Sequence, residues 1–140
     1  MDVNLKREMI LDNYQNPANK GLPNDDSYRK NNSKNESCVD NITIAAKIVD
    51  GVVDDVKFDG EACAICTSAC SVMTKELKGK TIEEAEMIID NYNRMINEQP
   101  YNEDVLGELN IYNEVYKQPS RKRCALLPIQ SMEKIIDSEK

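Results

Sequence analysis

The stretch from Ile42 to Phe58 constrains the fold more than any other part of the chain. Ile42, Ile44, Ala46 and Ile48 alternate with Thr43, Ala45 and Lys47, the period of a strand with one buried face. Asp50-Gly51 is a hairpin turn signal, Val52 to Phe58 returns as a second strand, and Asp59-Gly60 closes it. A lone hairpin is unstable in water, so the rest of the chain has to cover one of its faces.

The flanking segments carry helical periods. Val3, Leu5, Met9 and Ile10 fall near one face of a helix that runs to about Asn13, and Asn16-Pro17 stops it. Residues 16–37, rich in Asn, Asp, Ser and Lys, read as a loop, with room for a further strand near residues 35–40. Ala64 to Lys78 is helical and ends at Gly79. Thr81 with Glu84 forms a capping box for a helix through Ile82, Ala85, Ile88, Ile89 and Met95. Val105 to Tyr116 reads as another helix between Pro100 and Pro119, and the last helix carries Met132, Ile135 and Ile136. The expectation is an α+β fold, a small antiparallel sheet with helices packed on one face, in a single domain over residues 1–140.

Charge and residue types narrow the function. There are 25 acidic against 18 basic residues, a net charge of −7, which disfavours nucleic acid and anionic membranes as partners. No apolar stretch is long enough to cross a bilayer, and nothing at the start of the chain reads as a signal peptide, so a cytoplasmic location is expected. In that compartment the five cysteines are better read as metal ligands or reactive thiols than as disulfides. Histidine is absent, which removes His-based triads and Cys/His zinc patterns together.

Cys38 and Asp40, one residue apart before the first alternating strand, point to the same side of an extended segment. Cys63 follows the Asp59-Gly60 turn, and Cys124 closes the basic run Arg121-Lys122-Arg123 near the start of the last helix. Three thiolates and a carboxylate make a tetrahedral set for zinc, or for iron during cluster building. The carboxylate holds less firmly than a thiolate, which suits a site that exchanges what it binds. The plain alternative for any one cysteine is a small buried hydrophobe. Lys122 and Arg123 beside Cys124 are expected to favour its thiolate. Cys63, Cys66 and Cys70 form C-x-x-C-x-x-x-C on one helical face, where the small-residue composition favours close packing over chemistry for Cys66 and Cys70.

These motifs, in this order, resemble the SufU branch of the IscU/NifU-like scaffold family over nearly the whole chain. The resemblance runs through Ile10-Leu11-Asp12-Asn13-Tyr14, Asn16-Pro17, Asn19-Lys20-Gly21, Cys38-Val39-Asp40, Gly60-Glu61-Ala62-Cys63, Met73-Thr74, Lys78-Gly79-Lys80 and Arg123-Cys124-Ala125-Leu126. It implies that Cys38, Asp40, Cys63 and Cys124 hold zinc, and that Cys38, Cys63 and Cys124 are the thiols on which sulfur or a cluster is handled. A basic residue in place of histidine before the last cysteine, here Arg123, and the long interval around residues 90–112 point to the SufU branch. The implied role is a zinc-dependent acceptor of persulfide sulfur, a sulfurtransferase activity, from a SufS-type cysteine desulfurase. Cys124 is the expected nucleophile, assisted by Arg123, with apoproteins or other iron–sulfur assembly proteins downstream. The alternative is a scaffold carrying a transient [2Fe–2S] cluster or iron. Four positions depart from the family: Val39 replaces a glycine, Cys66 and Cys70 replace small non-thiol residues, and Pro128 is acceptable only if the last helix begins near Leu127.

Overall fold

A computed structural model describes residues 1–140. In chain order the elements are α1 (Val3–Gln15), β1 (Arg29–Lys34), β2 (Asn41–Val49), β3 (Val52–Glu61), α2 (Ala64–Leu77) and α3 (Ile82–Ile96). Three short 3-10 segments follow (Glu103–Val105, Gly107–Tyr112, Val115–Lys117), then α4 (Pro119–Ser138). The strands form an antiparallel meander in the order β1-β2-β3. With helices α2 and α4 packed against it, the architecture is α+β, as the alternation and its helical flanks imply.

The β2–β3 hairpin turns at Asp50 and Gly51, both with positive φ (50° and 74°), as a tight hairpin turn requires. A bulge between Lys47 and Ile48 shifts the register near the turn. Ile42, Ile44, Ala46, Val53, Val56 and Phe58 from the two strands are buried in one hydrophobic cluster with α2, α3 and α4. Inside it Tyr92 and Tyr112 meet edge to face, with ring centroids 6.3 Å apart. Their hydroxyls donate to the Ala125 carbonyl at 2.9 Å and to Ser68 Oγ at 2.7 Å, so no buried phenol is left unpaired. The Thr81–Glu84 capping box opens α3 with both of its hydrogen bonds in place.

The structure departs from the sequence reading in three places. The third strand is residues 29–34, and residues 35–40 are a turn. Arg-Lys-Asn-Asn-Ser-Lys has no apolar alternation; β1 is held by its pairing with β2 and by Ser131 of α4, whose hydroxyl bonds Asn31 at the backbone oxygen (3.0 Å) and Oδ1 (2.8 Å). Residues 103–117 are 3-10 turns rather than one helix, broken at Gly107 with φ of 52°. Pro119 does not interrupt a helix but starts one at its first turn, and Pro128 lies inside α4. Pro128 has no N–H to offer the Cys124 carbonyl one turn back, and packing of α4 on the sheet carries the helix across that gap. No helix is long and apolar enough to cross a membrane.

Candidate metal centre

The turn between β1 and β2 presents Cys38 and Asp40. Asn35, 2% exposed, organises it: its N–H bonds the Asp40 carbonyl (3.0 Å), its carbonyl accepts from Cys38 N–H (3.0 Å), and its Oδ1 accepts from Ser37 N–H and Oγ. This Asx-type turn breaks the strand before Cys38. It leaves Cys38 half-buried and Val39 60% exposed at the tip. The site therefore tolerates Val39, because its side chain projects away from the fold.

Cys63 sits where β3 hands over to α2. It is the N-cap of α2, and its Sγ accepts the Cys66 N–H at 3.5 Å. The Cys63 N–H in turn donates to Asp40 Oδ1 at 2.8 Å, which fixes the carboxylate against the helix start. Gly60 makes this close approach of β2 and β3 possible. Its φ is +130°, and a β-carbon there would lie 2.2 Å from the Asn41 carbonyl oxygen, a contact only glycine avoids.

Cys124 arrives from α4, in the second turn of that helix, and is 1% exposed. Asn35 Nδ2 donates to its Sγ at 3.7 Å, linking the first turn to the last helix across 89 residues of sequence. Ligand atoms of Cys38, Asp40, Cys63 and Cys124 all lie within 4.8 Å of one another. Asp40 is 2% exposed, and its Oδ2 is buried without any hydrogen-bond donor. A buried carboxylate oxygen left bare among three thiols is costly unless a cation completes it, so the donor set fits a metal ion.

One expectation about Cys124 changes. Burial, followed by the neighbouring Asp40 carboxylate and Cys63 thiol, raises its pKa well above the ordinary thiol value. The expected lowering fails because Cys124 lies within the helix body rather than at its first N–H groups, while Arg123, the residue before it, is turned to solvent. Burial also raises the Cys63 thiol, partly offset by the Cys66 N–H. Without a metal these thiols therefore hold their protons.

Cys66 and Cys70 are fully buried in α2, as their packing role implies. Asn35 was not singled out in the sequence. The available signal was the Asn-x-Ser turn pattern just before Cys38.

An α+β domain that gathers three cysteines and one aspartate from a strand turn, a helix cap and its last helix has the donor set of a metal-binding domain. Residues 5–125 match the family described as the NifU-like N terminal domain, and the chain belongs to that family. It is 36% identical to the zinc-dependent sulfurtransferase SufU of Bacillus subtilis, over 96% of this chain and 91% of that one. It is 30% identical to the iron–sulfur cluster assembly scaffold protein IscU of Thermotoga maritima, over 92% of this chain and 90% of that one. Among solved structures, a putative scaffold protein for the SUF system from Fervidobacterium islandicum superposes with a TM-score of 0.82 at 31% identity, covering 90% of this chain and 92% of that one. The N-terminal NifU-like protein of Brucella abortus shares the fold, with a TM-score of 0.81 over 99% of this chain and 100% of that one, at 23% identity.

Proposed function

We propose that this chain is an iron–sulfur cluster assembly protein that accepts persulfide sulfur from a SufS-type cysteine desulfurase at a zinc site formed by Cys38, Asp40, Cys63 and Cys124. The observation that carries the reading is the bare, buried Asp40 Oδ2 among three converging thiols. Similarity to the Bacillus subtilis zinc-dependent sulfurtransferase over nearly the full length of both chains supports it. Zinc, when bound, would keep the thiols deprotonated and shielded until a partner docks.

Within this proposal, exposure favours a different accepting thiol. Cys124 is the reactive residue that the sequence suggests, but it is buried in α4 and tied to Asn35. Cys38 is half-buried on a turn next to exposed Val39, where a partner can reach it. Cys38 is therefore the acceptor and Cys124 the anchored ligand in this proposal. The Cys38 thiolate attacks the outer sulfur of the desulfurase persulfide, and the enzyme's own cysteine leaves as thiolate. Arg123 is exposed on α4 and is assigned to docking, so Arg123→Ala should slow transfer without abolishing it.

The deciding experiment maps persulfide by mass spectrometry after one desulfurase turnover. Sulfur on Cys38, lost in Cys38→Ser, is the expected result. Sulfur on Cys124 returns that role to the residue suggested by the sequence, and none on any cysteine overturns the acceptor reading. The similarity to the Thermotoga maritima scaffold protein favours one alternative, a platform for a [2Fe–2S] cluster. Stable cluster absorption after reconstitution of the purified chain would support it.

A further inference from the structure

Cys63 has a second partner that the metal site does not use. It begins the sequence Cys63-Ala64-Ile65-Cys66, a C-x-x-C across the first turn of α2. Residues three apart in a helix have α-carbons about 5 Å apart, inside the range of about 4.4–6.8 Å that a disulfide spans. The two sulfurs are set unequally. Cys63 is half-buried at the N-cap, whereas Cys66 is fully buried one turn inward, with the Cys70 thiol against it. The Cys66 N–H already points at Cys63 Sγ, at 3.5 Å, so the local backbone draws the outer sulfur over the start of the inner residue. A half-buried thiol at a helix cap with a shielded one three residues on has the spacing of a redox-active dithiol.

We infer that Cys63 and Cys66 form a dithiol–disulfide couple that is oxidised by hydroperoxides and takes Cys63 out of the metal site. The thiolate fraction of Cys63, small in the metal-free chain, attacks a peroxide oxygen, the O–O bond breaks, and Cys63 becomes a sulfenic acid while hydroxide leaves. Cys66 then attacks Cys63 Sγ from the protein side. The S–S bond forms, the S–O bond breaks toward the open side, and the hydroxyl leaves as water with the proton of Cys66. Two thiols lose two electrons and one peroxide becomes two waters. A small dithiol reductant restores the pair by exchange. In the disulfide form only Cys38, Asp40 and Cys124 remain as ligands, so a bound metal is held by three groups instead of four.

The couple is tested on the full chain, zinc-loaded and metal-stripped, with hydrogen peroxide and no desulfurase. Free thiols are blocked after oxidation, the protein is reduced, and newly released thiols receive a second label read by mass spectrometry. The second label is expected on Cys63 and Cys66 in both forms, with Cys70 carrying the first. Zinc release into a chromophoric chelator accompanies it and is reversed by dithiothreitol. Cys66→Ala loses the second label and accumulates Cys63 sulfinic acid, and its zinc release is no longer reversed; Cys70→Ala behaves as wild type. A second label pairing Cys63 with Cys38 or Cys124, or wild-type Cys63 oxidised to sulfinic acid with Cys66 untouched, overturns the inference. The wild-type labelling decides the matter even if Cys66→Ala fails to fold. Because it needs neither zinc nor sulfur transfer, its outcome is separate from that of the proposed function.

Discussion

Asp40 and Cys63 are locked together by one hydrogen bond, 2.8 Å from the Cys63 N–H to Asp40 Oδ1, which leaves the other carboxylate oxygen bare and facing the thiols. The bond divides the carboxylate into a structural half and a half available to a cation. It also couples the start of α2 to the end of the β1–β2 turn, so Cys63 and Asp40 are placed by the same contact.

The two halves of Asp40 can be separated by substitution. Asp40→Asn keeps an oxygen for the Cys63 N–H and puts a neutral amide where the anionic ligand was. Its metal-free melting temperature should stay near wild type while its metal content falls. Asp40→Ala removes both and should cost about 1–3 kcal/mol as the Cys63 N–H loses its acceptor. Thermal melts and metal analysis of the two variants check this; equal metal retention in wild type and Asp40→Asn would remove Asp40 from the site.

Asn35 should matter to the site without being a ligand. Asn35→Ala removes the donor to Cys124 Sγ and the acceptor for Ser37, loosening the turn that carries Cys38. Metal affinity should drop and amide exchange at Ser37 and Cys38 should quicken, with a stability loss of about 1–2 kcal/mol. Unchanged exchange in this turn would show that the sheet alone orders it.

Gly60→Ala should destabilise the protein by about 2 kcal/mol or more, since the new β-carbon meets backbone and the φ is unfavourable for any other residue. Because Gly60 pairs with Ile42, between Asp40 and Cys63, metal content should fall too. Urea unfolding measures the first effect. A loss below a few tenths of a kcal/mol would mean that the strands separate there with little resistance.

The raised thiol pKa values of Cys63 and Cys124 give the metal-free chain a defined pH response. Below the ordinary thiol pKa, near 9, folded and unfolded chains both keep these protons, and the contribution to stability is fully present. As pH rises through that value, the unfolded chain releases protons that the folded chain retains, so the unfolded state gains and stability falls. With metal bound the ligands are deprotonated, so the loaded chain should instead lose stability toward acid. Melting curves of stripped and zinc-loaded protein from about pH 6 to 10 should therefore diverge at the alkaline end. A flat alkaline profile for the stripped protein would contradict the burial of these thiols.

The sequence by itself determined the local elements whose causes are local. Asp50-Gly51 supplies two residues that accept positive φ, the alternation from Ile42 fixes which face of β2 is buried, and Thr81 with Glu84 closes its own capping bonds. The family motifs singled out Cys38, Asp40, Cys63 and Cys124, which the structure brings within one ligand sphere. Tertiary structure alone decided the rest. β1 is a strand only because β2 and Ser131 satisfy its backbone and side chains, and nothing in Arg-Lys-Asn-Asn-Ser-Lys carries that information. The path of α4 across Pro128 is set by the sheet it packs on, whose contacts outweigh one missing hydrogen bond. The charge state of the metal-free Cys124 thiol turned the same way. Neighbours in sequence suggested a cation-activated thiol, but a helix rotates successive side chains by about 100°. That rotation sends Arg123 to solvent and Cys124 into the core, where burial and Asp40 set the charge state.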